Sequence, residues 1–278
     1  TTPLFTSCCP SWVLYMQKYH QDDLKYLSTC KSPISMEATM IKTYFADMYE
    51  IPKEKIITVA IAPCGAKKTE KIYHPETDIV ITTRELAMLI RESNIDFGSL
   101  KDDEFDSIMG KSSSSGLIFG ASGGVTEAVL RTAYYMINGK KAPLKFYHLD
   151  EIRSEKGFKT TVVDLGKYYL KVAVVNKVST VTEKYDELKK FDFVEVMACP
   201  GGCIGGAGQP LGAIKNLKST RESRTNSLFK KDSEESIREA YMNPKIQDAY
   251  ISYISKEEIS LHTSYIEKKT IQNETNKV

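Results

Sequence analysis

Apolar residues recur at helical spacing through residues 35–49, where Met36, Met40, Tyr44 and Met48 share one face, so this stretch predicts a helix. A short run rich in β-branched residues follows at 56–61 and ends at Pro63-Cys64, which predicts a strand that delivers Cys64 to a loop. Residues 78–82 read as a second strand, and Thr83 is placed to cap a helix that runs to about Ser93. Between 111 and 121 the chain is rich in Ser and Gly. Gly123-Gly124 then leads into a helix predicted over 125–137, whose free N-terminal amides favour anions. The alternation repeats: 160–165 and 169–175 predict strands, 181–190 a helix and 193–198 a strand, with Cys199 directly after it. From Ile214 onward the chain is polar and basic, with helices predicted near 234–241 and 245–254 and Pro244 between them. No internal repeat or low-complexity linker stands out. This order predicts an α/β fold, in which ligands gather at the carboxyl ends of strands. Cys64 and Cys199 both stand at such ends.

Composition narrows the function classes. The 278 residues suggest one large domain or two small ones and are ample for a core. The 38 Lys and Arg against 36 Asp and Glu leave a formal charge of +2, too weak a field to point to nucleic acid or an acidic membrane surface. The longest apolar runs, such as 56–63, fall far short of the roughly 18–20 residues that a membrane span needs. The first residues carry neither a basic leader nor a long apolar stretch, so the expectation is a soluble, cytoplasmic protein. In that compartment the six cysteines point to metal or redox chemistry before disulfides.

Cys199 and Cys203 are four apart around Pro200-Gly201-Gly202, and a helix starting here would put both thiolates on one face. The glycines that follow, Gly205, Gly206 and Gly208, let backbone approach something bulky, and backbone amides can hydrogen-bond to cluster sulfur. Zinc is the competing reading, since four Cys also make a tetrahedral site. Only one cysteine pair has the usual zinc spacing, however; the adjacent Cys8-Cys9 and the isolated Cys64 suit an iron–sulfur cluster assembled from distant loops better. Of Cys8 and Cys9, one can ligate while the other is either a free thiol able to carry a proton or a small buried apolar residue. Cys30 reads as packing. Lys67, three residues after Cys64, can meet an anionic ligand, whereas Lys68 reads as solvated. Glu70 and Glu195 read as structural, and the scattered His20, His74, His148 and His262 receive no metal role.

Three segments together carry a family resemblance: Thr6-Ser7-Cys8-Cys9-Pro10-Ser11-Trp12, then Pro63-Cys64-Gly65-Ala66-Lys67-Lys68-Thr69-Glu70, then the run from Glu195 through Cys199-Pro200-Gly201-Gly202-Cys203 to Pro210. Jointly they resemble the signature motifs of the iron-only, or [FeFe], hydrogenases. Thr82-Thr83-Arg84-Glu85-Leu86, Ile118-Phe119-Gly120, Gly123-Gly124-Val125 and Leu261-His262-Thr263-Ser264-Tyr265 are similar as well, so the match runs over nearly the whole chain.

The resemblance implies an H-cluster, a four-iron cubane bridged by a cysteine sulfur to a two-iron unit bearing CO, cyanide and an azadithiolate. It implies Cys9, Cys64, Cys199 and Cys203 as cubane ligands, with Cys203 the bridge. Cys8 is then the thiol that passes protons to the azadithiolate amine, and Ser28 matches a serine of the proton relay. Lys67 holds a cyanide, Ser32 and Pro33 line the pocket, and Met197 and Phe119 keep water out. The implied fold is two lobes of parallel or mixed sheet flanked by helices, with the cluster between them: 1–110 in the first lobe, 111–213 in the second, and 214–278 as a helical tail. The implied activity is reversible reduction of protons to H2, with electrons from a ferredoxin-like donor and a cofactor installed by maturation proteins. A hydrogen-sensing relative and a non-hydrogenase iron–sulfur assembly homologue are the alternatives. Ala62, Ile34, Thr126 and Ala207 depart from the family pattern. So does the expected lack of a segment upstream of the first motif, which a longer chain, an accessory iron–sulfur domain or a second subunit would supply.

Overall fold

A computed structural model of the chain describes residues 2–106, 110, 112–154, 156–210, 212, 214–255 and 261–265. The first half contains β1 (Leu4–Phe5), α1 (Pro10–Tyr19), α2 (Pro33–Met40), α3 (Ala46–Met48), β2 (Val59–Ala62), α4 (Lys67–Tyr73), β3 (Ile79–Thr82) and α5 (Thr83–Glu92). A π-helical turn at Ile41–Phe45 joins α2 to α3, so the helix expected over 35–49 is present with one wide turn inside it. After α6 (Ser115–Ile118) and α7 (Gly124–Asn138) come β4 (Phe158–Asp164), β5 (Tyr169–Asn176), α8 (Val178–Leu188) and β6 (Phe193–Met197). The chain continues through α9 (Leu217–Glu234) and α10 (Pro244–Ala249).

The strands form two sheets, as an α/β reading requires. The larger has the order β1-β6-β5-β4, with β1 and β5 parallel to β6 and β4 antiparallel to β5. The smaller pairs β2 with β3 in parallel, Val59 opposite Ile79. β1, expected in the first lobe with residues 1–110, is instead an edge strand of the larger sheet.

Both faces of the larger sheet are covered, so β5 and β6 read as continuous apolar runs. On one face Ala173, Val175, Val194 and Val196 meet Trp12 and Met16 of α1 and Val181, Tyr185 and Leu188 of α8. On the other, Val172, Val174 and Phe193 meet Leu130 and Tyr134 of α7 together with Phe146 and Ile152. Burying each such side chain stabilises the fold by about 1.5–3 kcal/mol.

Several expectations are corrected. The cap of α5 is Thr82, not Thr83: its hydroxyl accepts from Glu85 N, while the Glu85 carboxylate accepts from Thr82 N at 2.7 Å, a reciprocal capping box. The 234–241 segment is not helical apart from a 3-10 turn at Ala240–Met242, and the long helix there is α9. Its sequence is polar on nearly every side and so lacks the periodic signal that marks a helix. No helix starts at Cys199; the chain turns, and Cys203 opens only a 3-10 turn, Cys203–Gly205. The pattern also gave no warning of α1. Position 111 and residues 256–260 and 266–278 of the expected tail lie outside the described residues.

Candidate metal centre

Parallel pairing brings the first and third cysteine motifs together. β1 and β6 run side by side, with Thr6 N donating to Val194 O at 3.0 Å and Val196 N to Thr6 Oγ1 at 3.1 Å. The chain therefore leaves both strands at the same sheet end, carrying Cys8-Cys9 on one and Cys199 on the other. Cys9 is the N-cap of α1, its carbonyl accepting from Trp12 N and Val13 N, and Pro10 occupies the first helical position. A sulfur there faces the positive end of a helix.

The second motif reaches the same place from β2. Gly208 N donates to Pro63 O at 2.9 Å, and a Cβ on Gly206 would stand 2.2 Å from that oxygen. A Cβ on Gly208 would stand 2.8 Å from Pro63 C and 2.9 Å from Cys64 N. These two glycines are required because backbone packs on backbone where the loops of Cys64 and Cys203 meet. Arg84 secures the contact, its amide donating to Gly208 O at 3.1 Å and its guanidinium to Ala207 O. Ala207, an expected departure, thus contributes through its backbone.

The four cysteines expected as ligands share one electrostatic environment. Burial pushes the Cys203 thiol up to about 12, and negative charge on Cys9, Cys64 and Cys199 pushes the same way. Cys9 is raised by burial and by Cys64, against amides of Ala198 and Trp12 that donate to its sulfur. Cys199 is raised by burial, then by Cys9 and Cys64, while Ala207 N–H donates to it. Thiols raised as Cys9, Cys199 and Cys203 are ionise only with a cationic centre beside them, and the amides aimed at sulfur suit an iron–sulfur cluster.

The remaining site residues divide. Cys8, Phe119 and Cys203 are half-buried against the core that contains Cys9 and buried Met197, so these five are brought together. Burial holds the Cys8 thiol far above its usual range, with Cys203, Cys9 and Glu195 adding to the shift and Lys67 opposing it. The buried Lys67 ammonium donates to Cys8 O at 3.1 Å and to Glu70 at 2.9 Å. Glu70 also accepts from Ser32 Oγ at 2.7 Å and Ser35 Oγ at 3.3 Å, so one carboxylate orients both Lys67 and Ser32. Ser28 lies apart: its Oγ accepts from Cys30 N at 3.2 Å. Pro33, expected to line the pocket, is exposed at the first position of α2, where its fixed φ starts the helix. Lys68 pairs with Glu85 at the surface, as its solvated reading requires. His262 bridges to Cys30 and meets Thr29 at 2.9 Å, which docks residues 261–265 beside the first motif.

Glu195 does more than its sequence position reveals. Fully buried on β6, it accepts from Gly123 N at 2.6 Å, Thr126 N at 2.8 Å and Thr126 Oγ1 at 2.9 Å, and so caps α7 from a strand 69 residues away. Thr126, an expected departure, is the residue whose hydroxyl completes that cap. Behind the third motif lie Ser122, Asn176 and Lys159, which sequence reasoning missed because their partners are 37 and 54 residues apart in the chain.

Known proteins agree with this geometry. Residues 1–207 match the family described as iron only hydrogenase large subunit, C-terminal domain. The chain is 40% identical over 286 residues to the NADP-reducing hydrogenase subunit HndD of Solidesulfovibrio fructosivorans, covering 97% of this chain and 48% of that protein. It is 42% identical over 221 residues to the periplasmic [Fe] hydrogenase large subunit of Nitratidesulfovibrio vulgaris, covering 75% of this chain and 52% of the relative. The chain thus spans about half the length of these relatives. A solved [FeFe]-hydrogenase structure, HydA(deltaEFG), which concerns stepwise H-cluster assembly, superposes with a TM-score of 0.78 at 32% identity over 95% of this chain and 76% of that one. More distant is the cytosolic iron-sulfur assembly component 3 of Mus musculus, at 28% identity over 285 residues. Two cysteine segments at one sheet end with the third packed on them from β2, the family match over 207 residues and the shared fold lead to one conclusion: this chain belongs to the family formed by the C-terminal domain of iron-only hydrogenase large subunits.

Proposed function

We propose that the chain is the catalytic core of an [FeFe]-hydrogenase and exchanges electrons with a ferredoxin-like carrier. The observation that supports this most is the convergence of Cys9, Cys64, Cys199 and Cys203 with a protonated Cys8 and a buried Lys67. On this reading Cys9, Cys64, Cys199 and Cys203 would hold the cubane of an H-cluster, with Cys203 the residue expected to link it to the two-iron unit. The H-cluster when bound supplies the chemistry of 2H⁺ + 2e⁻ ⇌ H2.

The chain's own residues do the rest. Cys8 keeps its proton in a desolvated site and presents it to the bound group, which a solvent-exposed thiolate could not do. Lys67, oriented by Glu70, offers a charge-assisted donor to an anionic ligand such as cyanide. Met197 and Phe119 exclude water, so protons travel by a defined route, and Ser28, apart from the residues gathered at Cys8, would serve at its far end. Ser32 frames the pocket at the N-terminus of α2, which the exposed Pro33 starts.

The face beside the third motif is where an electron carrier would dock. An open cleft of about 700 Å³ borders Gly201 and carries Lys156, Lys177, Lys218 and Arg221 against one carboxylate, Glu222, which pairs with Lys218 at 3.6 Å, a net basic surface suited to an acidic redox protein. A reducing cytoplasm is the compartment we propose, because thiols there stay available to a cluster. Among the described residues no helix is long and apolar enough to cross a membrane. Maturation proteins would install the two-iron unit.

The test is an infrared spectrum of anaerobically reconstituted protein loaded with a synthetic two-iron cofactor. Sharp CO and cyanide bands that shift under H2, with turnover, are expected. A cubane seen by electron paramagnetic resonance without those bands would overturn the reading in favour of iron–sulfur assembly, and bands without turnover would favour hydrogen sensing.

A further inference from the structure

Lys159 on β4 is a buried ammonium without an ion pair among the described residues. It is 4% exposed and donates to Ser122 Oγ at 3.0 Å and to Ser154 O at 2.8 Å. Two neutral acceptors are poor compensation for burying a charge. The nearby carboxylate, Glu195, is committed to the α7 cap. Burial lowers the Lys159 ammonium to about 8, with Glu195 opposing the shift.

The environment of Ser122 shows where this charge acts. Ser122 N donates to Gly201 O at 2.9 Å, and Ser122 Oγ also accepts from Asn176 Nδ2 at 3.2 Å. The fully buried Asn176 in turn accepts from Gly201 N at 3.4 Å. Gly202, at φ 95°, has no room for a Cβ, which would stand 2.7 Å from Ser122 N. Both polar groups of Gly201 are therefore held by a Ser122–Asn176 bracket, and Lys159 stands directly behind it. Gly201 is midway between Cys199 and Cys203.

We propose that Lys159 is a positioning residue of the metal centre: through Ser122 it fixes the Cys199–Cys203 loop, and its positive charge raises the reduction potential of the cubane held there. The inference rests on the cluster reading above. Adding one electron to the cubane adds one negative charge, and a fixed buried cation stabilises that reduced state over the oxidised one. The ammonium, offset within the chain only at a distance by Glu195, thus gains a counter-charge in the bound cluster.

The test uses the full chain carrying only its reconstituted cubane, titrated with mediators and followed by electron paramagnetic resonance. Lys159→Met should retain the cubane while its reduced-to-oxidised ratio at fixed potential falls about tenfold, a shift of about 59 mV to more negative potential for one electron. Lys159→Arg, which keeps the charge, should restore the wild-type potential, and Lys159→Gln carries the measurement if the Met variant does not fold. An unchanged potential in a neutral variant that holds its cubane overturns the proposal. Failure of both neutral variants to fold while Lys159→Arg folds normally overturns it too, because Lys159 is then structural. If the wild-type chain takes up no cubane, the proposed function fails before any variant is compared.

Discussion

Among individual residues, the chemistry rests on side chains that burial has altered. Cys8 and Cys9 are adjacent and burial raises both thiols, yet only Cys9 caps a helix and takes amides, of Trp12 and Ala198, at its sulfur. Cys8→Ala should therefore abolish H2 turnover while leaving the infrared bands of the loaded cofactor in place; retained activity would exclude it from proton transfer. Cys203→Ala should instead release the two-iron unit, seen as loss of the CO and cyanide bands. Gly208→Ala carries no chemistry, but its Cβ would press on Pro63 and Cys64. Iron content per chain should fall in that variant, because the Cys64 loop must move. The cysteines, Lys67 and the glycines were legible in the sequence, since spacing and residue type mark them. The role of Thr126 was not, because a departure from a family pattern says nothing of the Glu195 carboxylate it serves.

Where helices meet, α9 is held by charge and not by an apolar stripe. Arg131 and Glu127 of α7 and Asp232 of α9 are all fully buried, and Arg131 bonds Asp232 through two nitrogens at 2.8 and 2.9 Å. Burial alone would raise the Asp232 carboxyl, but hydrogen bonds from Arg131, Arg238 and Ser114 outweigh it and hold it at about 2. Because that value lies below the unfolded one of about 3.9, the stabilisation is fully present above about pH 4 and is lost as pH falls toward 2. Its size is on the order of 2 kcal/mol. Urea unfolding followed by circular dichroism at pH 5 and near pH 2.5 would show the difference, and equal midpoints would contradict it. Asp232→Ala should cost about 3 kcal/mol or more at neutral pH, since it leaves Arg131 buried with one partner fewer. Removing the α5 cap with Thr82→Ala should cost only about 1 kcal/mol.

Across the fold, the strand order decides where the site is. Cys8, Cys9 and Cys199 meet because β1 inserts beside β6, nearly the full length of the domain away in sequence. The basic cleft arises in the same way, from the β4–β5 sheet end and α9. Charge reversal at Lys156, Lys177 and Lys218 should slow reduction by an acidic ferredoxin-like protein and weaken the salt dependence of that rate. Reduction by a small uncharged mediator should be unaffected, and equal slowing of both would mean that the cleft is not the docking face.

The alternation of strands and helices and the strand ends at which Cys64 and Cys199 emerge can be read from the residues in order, as local signals carried by periodicity and spacing within a few residues. Which cysteines are candidate ligands, Cys9 rather than Cys8 above all, is what the family resemblance of the three motifs implies. It took the folded chain to establish that β1 joins the larger sheet, that α9 is a helix at all, and that Glu195, Ser122, Asn176 and Lys159 support the third motif. Each of those depends on partners tens to hundreds of residues away, whose pairing is set by burial and hydrogen-bond satisfaction and leaves no periodic trace in the residues themselves.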